Sequence, residues 1–358
     1  MMKKLLILAL FALPCMAQAP DFQVILIPDS QYESQLNYQL QHMSTWITTQ
    51  STYTNVQMVV AEGDLVDSDV SAQWTNYLNG MFNPLMTANI PYVATVGNHD
   101  YCGDGAASGQ PCGTSNQDTS LRIDADFISN IESVTATKSY FGSAWSTDAA
   151  NHWVHFTVSG HNYGVIALEF CPRPAAVTWA AGVMAANPTT EFMIDTHAWI
   201  QPSTGLMGTV STSGCSSSGN DGTGQADSVS NSPATAWTTL QAATNLFLVV
   251  NGHYYSSSTA NYAATGTNGN TVAMIDTDYQ FVSSGNNVMR ILNISETNHL
   301  ISAYTYTPYD WGSHVPVSYT DAANQFTMGY NPQAFGDGSS SNAGMSGSAV
   351  MSGNAVIQ

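Results

Sequence analysis

The sequence predicts an α/β fold, with a parallel layer of strands covered by helices and closed by an antiparallel layer. Three observations point there. Apolar strand-like runs alternate with helical patterns over the first hundred residues, which implies right-handed βαβ crossovers and a parallel sheet. The last third carries alternating runs instead, the habit of antiparallel strands. Five of the apolar runs break off abruptly into a carboxylate, an amide or an imidazole, and in an open α/β sheet that carboxyl edge is where ligands bind.

The elements follow in order. Phe22–Pro28 is strand-like, and Leu36, Leu40, Met43 and Ile47 recur at helical spacing over about residues 34–50. Val56–Ala61 is the next strand. Trp74, Tyr77, Met81 and Leu85 mark a second helix ending near Asn89, before a strand at Pro91–Val96. Residues 101–120 form a polar, glycine-rich loop, and Leu121–Ile131 reads as a short helix. Trp153–Val158 and Tyr163–Phe170 flank Gly160 as a hairpin. Ala175–Ala186 is helical and Phe192–Asp195 a strand. A long loop, a helix of about 233–243 and the Leu246–Val250 strand come next. The runs Val272–Gln280, Val288–Ile294 and Leu300–Tyr306 suit the antiparallel layer.

Composition bounds the function. With 358 residues and 44% hydrophobic content, the chain can bury one large core. Only 9% is charged, far below the usual quarter or so. Met1 to Ala17 read as a signal peptide: Lys3 and Lys4 precede an apolar stretch from Leu5 to Leu13, and Ala17-Gln18-Ala19 offers small residues for cleavage. Cleavage is expected after Ala17, with Ala19 as the alternative. The apolar stretch is too short to span a bilayer, so no membrane anchor is expected and the protein is expected to be secreted or periplasmic. Loss of Lys3 and Lys4 leaves four basic residues against 25 acidic ones, a net charge of −21. Such an excess repels polyanions, so no nucleic-acid partner is expected. Residues 20–335 are read as one domain, and 336–358, rich in glycine and serine, as a tail too polar to pack. Cys102, Cys112, Cys171 and Cys215 remain, an even count that suggests disulfides in an exported protein. Cys102–Cys112 and Cys171–Cys215 are attractive pairs, but three pairings are open.

The polar groups at the strand ends make a coherent donor set. Asp29 follows the first run, Asp64 the second and Asn98 the third. His197 and His253 follow the Phe192–Asp195 and Leu246–Val250 runs. One of these residues alone would be an ordinary turn former or helix cap. Together they offer oxygen and nitrogen donors of the kind that hold Mn, Fe or Zn. Two ions about 3.5–4 Å apart need a shared ligand, and the Asp64 carboxylate suits that role. His99 adjoins Asn98 and is free to act as the catalytic imidazole, with Asp67 positioned to hold its tautomer.

These motifs resemble the calcineurin-like metallophosphoesterases, in particular their secreted bacterial members. The family's Gly-Asp-x-x-Asp stands here as Gly63-Asp64-Leu65-Val66-Asp67, and its Gly-Asn-His-Asp/Glu as Gly97-Asn98-His99-Asp100. The resemblance spans about Phe22 to Tyr309. It implies a β-sandwich of mixed sheets flanked by helices. It also implies two metal ions, divalent or trivalent, and attack of a metal-bound hydroxide on a small phosphomonoester or phosphodiester. By the resemblance Asp64 bridges the ions, Asn98, His197 and His253 ligate, and His99 with Asp67 is catalytic. Two positions depart from the pattern. Asp-x-His is Asp29-Ser30-Gln31, where the amide oxygen of Gln31 can still ligate. Gly-His-x-His is Gly252-His253-Tyr254-Tyr255, so the second histidine is replaced by Tyr255, at best a weak ligand. One firm ion and one weak ion are therefore expected. The rival is a catalytically impaired member serving as a binding or cell-surface module, and a second rival is a metal-dependent hydrolase of a non-phosphate ester. Arg173 and Arg290 are notable among so few basic residues, and a structural role fits each. Arg290, with Asp278-Tyr279-Gln280 on the strand before it, has the site as its other expected location.

Overall fold

The computed structural model describes residues 22–50, 55–100, 127–145, 148–200, 232–254, 261–282, 287–310 and 312–332. Fourteen strands among these residues form two mixed seven-stranded sheets. In the first, β1 (Phe22–Ile27), β2 (Val56–Ala61) and β3 (Tyr92–Ala94) run parallel. β11 (Met289–Ser295) pairs antiparallel with β1 and with β12 (Leu300–Thr307), and β13 (Val317–Tyr319) and β14 (Gln325–Gly329) pair with β12. In the second sheet the order is β4 (Phe141–Trp145), β5 (Asp148–Val158), β6 (His161–Leu168), β7 (Thr190–Thr196), β8 (Leu246–Asn251), β10 (Thr271–Asp276) and β9 (Asn261–Thr265). There β6, β7, β8 and β10 are parallel.

Alternation along the strands builds the layers. Phe22, Val24 and Leu26 of β1 join Val165, Ala167, Val250 and Ile275 of the other sheet in the core between the sheets. Ile25 and Ile27, pointing the opposite way, pack under Leu40, Met43 and Ile47 of α1 (Asn37–Gln50). On the far side Ile194, Leu246, Val272 and Met274 pack under the helices Pro174–Ala186 and Pro233–Leu240. The result is helix, sheet, sheet, helix, the sandwich of mixed sheets that the resemblance implies.

Three expectations need correction. The Val272–Gln280 run does not lie in an antiparallel closing layer. Its strand stops at Asp276 and pairs parallel with β8, because two sheets share the work assigned to one. The second helix is also not continuous. α2 (Ser71–Tyr77) passes through a wide, π-type turn at Leu78–Phe82 into α3 (Asn83–Thr87). Pro84 has no N–H to give the Gly80 carbonyl four residues back. Ser44 Oγ of α1 donates to that carbonyl instead, at 2.6 Å. Third, Ile128–Glu132 is a π-type turn, although residues 121–126 of that expected helix lie outside the described residues. The signal peptide and the 336–358 tail lie outside them too. Cys171 is buried and disulfide-bonded; Cys102, Cys112 and Cys215 lie outside the described residues, so the expected pairing falls there. No helix among the described residues is long and apolar enough to cross a membrane.

Candidate metal centre

All five expected donors converge where the carboxyl edges of the two parallel layers meet. Asp29 follows β1, Asp64 follows β2, Asn98 follows β3, His197 follows β7 and His253 follows β8. Gly63 and Asp64 both take positive φ, 88° and 49°. This left-handed pair turns the chain sharply at the end of β2. A side chain on residue 63 would press on the His197 ring, with a Cβ 2.6 Å from Nδ1. His253 also has positive φ, 68°. Non-glycine residues held in this region cost about 1–3 kcal/mol each and cluster at functional sites.

Asp100 staples two of the motifs together. Its Oδ1 accepts from the backbone N–H groups of Leu65 and Val66 at 2.8 and 3.1 Å, and Oδ2 accepts from Gly97 at 2.8 Å. The carboxylate is fully buried. Its place as the fourth residue of Gly97-Asn98-His99-Asp100 is the sequence signal for this role.

The centre is built around His197 Nε2. His197 Nδ1 lies 2.7 Å from the Glu62 carbonyl oxygen. A carbonyl only accepts, so Nδ1 carries a proton. Nε2 then faces three acceptor oxygens: Asn98 Oδ1 at 3.0 Å, Asp64 Oδ1 at 3.3 Å and Asp29 Oδ1 at 3.7 Å. A cation suits that arrangement, either a proton on Nε2 or a metal ion between these atoms. Asp64, His197 and His253 each offer a ligand atom within 4.8 Å of the others. Phe170 walls the pair of imidazoles, with its ring 5.5 Å from His197 and 5.3 Å from His253. The donor set and its second-sphere carbonyl fit a transition-metal ion.

Electrostatics agree. Burial alone would raise the Asp64 carboxyl, but His197 and His99 pull it below the ordinary aspartate value. Burial likewise opposes a charge on His197, yet Asp64 outweighs it and raises the imidazole. His253 behaves oppositely. Burial, then repulsion by His197, pushes it down to about 3, so its imidazole is neutral and available as a ligand. Burial, Asp278 and Asp64 together push Asp29 well above its usual range. Asp29 is held in place by the His253 backbone N–H, 3.0 Å from Oδ2.

The other expected residues divide. His99 is partly exposed beside the centre. Its backbone N–H donates to Asp64 Oδ1 at 2.8 Å. Its Nδ1 meets the Asp67 backbone carbonyl at 3.0 Å, closer than the Asp67 carboxylate at 3.6 Å. Both contacts hold the proton on Nδ1 and leave Nε2 directed elsewhere. Gln31 is buried, and its Oε1 has no hydrogen-bond partner. Tyr255 lies outside the described residues. Neither arginine is in the centre. Arg173 clamps Glu169 at 2.7–2.8 Å. Arg290, fully buried, gives Nη2 to Tyr279 Oη at 2.7 Å and lies over the Phe326 ring.

Comparison with known proteins bears on this centre. No curated protein matches the chain. Among solved structures, a dimetal phosphatase from Danio rerio is 12% identical, covering 84% of this chain and 98% of its own, with a TM-score of 0.49. GAP50, the anchor in the inner membrane complex of Plasmodium, is also 12% identical, covering 87% and 89%, with a TM-score of 0.44. Neither likeness assigns a function. The sequence model described as calcineurin-like phosphoesterase matches residues 23–162. That segment runs from β1 into β6 and carries Asp29, Asp64, Asn98 and His99. The segment that carries these donors is therefore similar to the calcineurin-like phosphoesterases, a family of metal-dependent phosphoric ester hydrolases.

Proposed function

We propose that the protein is an exported enzyme that hydrolyses a small phosphomonoester or phosphodiester at a two-metal centre. The observation that carries the reading is the ring of acceptor oxygens around His197 Nε2, with neutral His253 beside it. Asp64 would be the shared ligand, and Asn98, His197 and His253 would complete the site at the junction of the sheets. Ions of the Mn, Fe or Zn type, when bound, supply charge for the phosphoryl oxygens and a lowered pKa for water. The chain supplies the rest. His99, oriented through Nδ1 by Asp67, presents Nε2 to protonate the leaving oxygen or to hold a phosphoryl oxygen. The net charge of −21 for the mature chain favours small esters over nucleic acids. Export rests on the basic, apolar and small-residue segments before Pro20.

The test uses p-nitrophenyl phosphate and bis-p-nitrophenyl phosphate with metal-loaded protein. The preferred ester identifies the substrate class. His99→Asn is expected to lower kcat by about 10²–10⁴ and to leave the metal content unchanged, because His99 is not a ligand. Equal turnover in the variant would remove His99 from the mechanism. Cleavage of carboxylic esters but neither phosphate would refute the reading.

A further inference from the structure

We propose that Asp278 is a metal ligand that completes the ion site beside Asp29, in place of the histidine that the motif Gly252-His253-Tyr254-Tyr255 lacks. The proposal rests on the two-metal reading above. Asp278 lies two residues beyond the end of β10, and β10 runs parallel beside β8, whose end delivers His253. It is thus a sixth polar residue at the same carboxyl edge. It is 1% exposed. One carboxylate oxygen, Oδ1, is pinned by the Gln280 backbone N–H at 2.8 Å. The other, Oδ2, is buried and has no hydrogen-bond partner.

A buried carboxylate oxygen without a partner is costly unless something answers it. The surroundings show what that would be. The charge on Asp278 is the largest influence on Asp29 after burial itself. Asp278 also interacts with Asp64 and His197. Gln31 Oε1 and Gln280 Oε1 are two more buried oxygens without hydrogen-bond partners in the flanking loops. Three buried carboxylates, Asp29, Asp64 and Asp278, therefore share one edge. Among the described residues the ion pairs to Asp29 and Asp64 come from His197 alone. Arg290 points its Nη2 at Tyr279 and Thr305. Excess negative charge and unpartnered oxygens at one buried edge are what a divalent cation relieves.

The two ion sites then differ in character. Asp29, Gln31, Asp64 and Asp278 form an all-oxygen set, which suits a harder ion such as Mn. The His197–His253 side suits Zn or Fe equally well. The first site is not weakened by the loss of an imidazole, because a carboxylate from a different strand takes its place.

The test is Mn(II) binding to the mature protein after chelation, read by the EPR signal of free Mn(II) and by metal content per chain. Wild type should bind two ions. Asp278→Asn should hold one with unchanged affinity and bind the other at least tenfold more weakly. Asp278→Glu should restore part of that loss. The metal-free Asn variant should melt no lower than wild type, since it relieves buried like charge, so lost binding cannot be ascribed to misfolding. Two Mn(II) at wild-type affinities in Asp278→Asn would overturn the assignment, as would a wild type that binds one ion identically to the variant. Turnover on the same samples separates the two claims. Two ions bound without phosphoester hydrolysis would refute the enzyme and keep the ligand. Hydrolysis with unchanged Mn(II) binding in the variant would refute the ligand and keep the enzyme.

Discussion

Asp64→Asn is expected to abolish turnover, by at least about 10³-fold, and to strip the centre of metal. Asparagine keeps the shape of aspartate and can still accept from the His99 backbone N–H, now at 2.8 Å. It cannot supply the charge. Asp64 is the partner His197 depends on and the shared donor of the proposed pair of ions. A factor of 10³ corresponds to about 4 kcal/mol of lost transition-state stabilisation, a modest demand on a residue proposed to hold both ions. The metal-free protein reports the same residue independently. Removing one member of a buried ion pair costs about 3–5 kcal/mol. The carboxyl of Asp64 lies below its unfolded value when folded, so its contribution is present above about pH 4 and is lost as pH falls further. The imidazole of His197 lies above its unfolded value, so its share is complete below about pH 6.5 and is lost as pH rises through the raised value. Urea unfolding of metal-free wild type and variant should therefore differ most between about pH 4 and 6.5. A constant difference across pH would contradict the pairing.

Gly97→Ala is expected to damage stability and metal binding together, by about 3 kcal/mol. A Cβ at residue 97 would fall on the Asp64 carboxylate and on the Asp64 backbone nitrogen. Neither can withdraw. The carboxylate is held by His99 and His197, and the backbone is fixed by Asp100, which grips Gly97, Leu65 and Val66 at once. Gly182→Ala provides the contrast. It lies within the helix Pro174–Ala186, and a Cβ there meets nothing within 4 Å, so alanine should stabilise by about 0.5–1 kcal/mol. Chemical denaturation and metal content of the two variants check both signs. A Gly97→Ala protein with wild-type metal content would show that the two motif loops are looser than the Asp100 contacts imply.

Much of the fold was legible because its central strands are buried on both faces. Val24–Ile27, Met58–Ala61 and Leu246–Val250 read as unbroken apolar runs for that reason, and the polar residues after them lie at the candidate centre. The strands that escaped are β4, β9, β13 and β14. They lie at or beside sheet edges, and residues such as Gly142, Ser143, Asn261 and Gln325 are exposed, so no apolar pattern announces them. Asp278 escaped for a different reason. The local pattern of Val272–Gln280 suits one antiparallel strand, which would place Asp278 in mid-strand. Its true form, apolar to Ile275 and then Asp276-Thr277-Asp278, repeats the pattern of the other five. The pairing of β10 with β8 depends on contacts remote in sequence, which a local pattern does not contain. The wide turn before α3 was legible in principle from Pro84, but the helical spacing of Trp74, Tyr77, Met81 and Leu85 continues through it and masks the break.

The most direct measurement is hydrolysis of p-nitrophenyl phosphate and bis-p-nitrophenyl phosphate by protein stripped of metal and refilled with Mn, Fe or Zn. The centre described here predicts that stripping abolishes turnover, that at least one metal restores it, and that Asp64→Asn treated alike stays inactive. No turnover with any metal, in protein shown to be folded, would contradict it and would leave a binding module on a phosphoesterase fold.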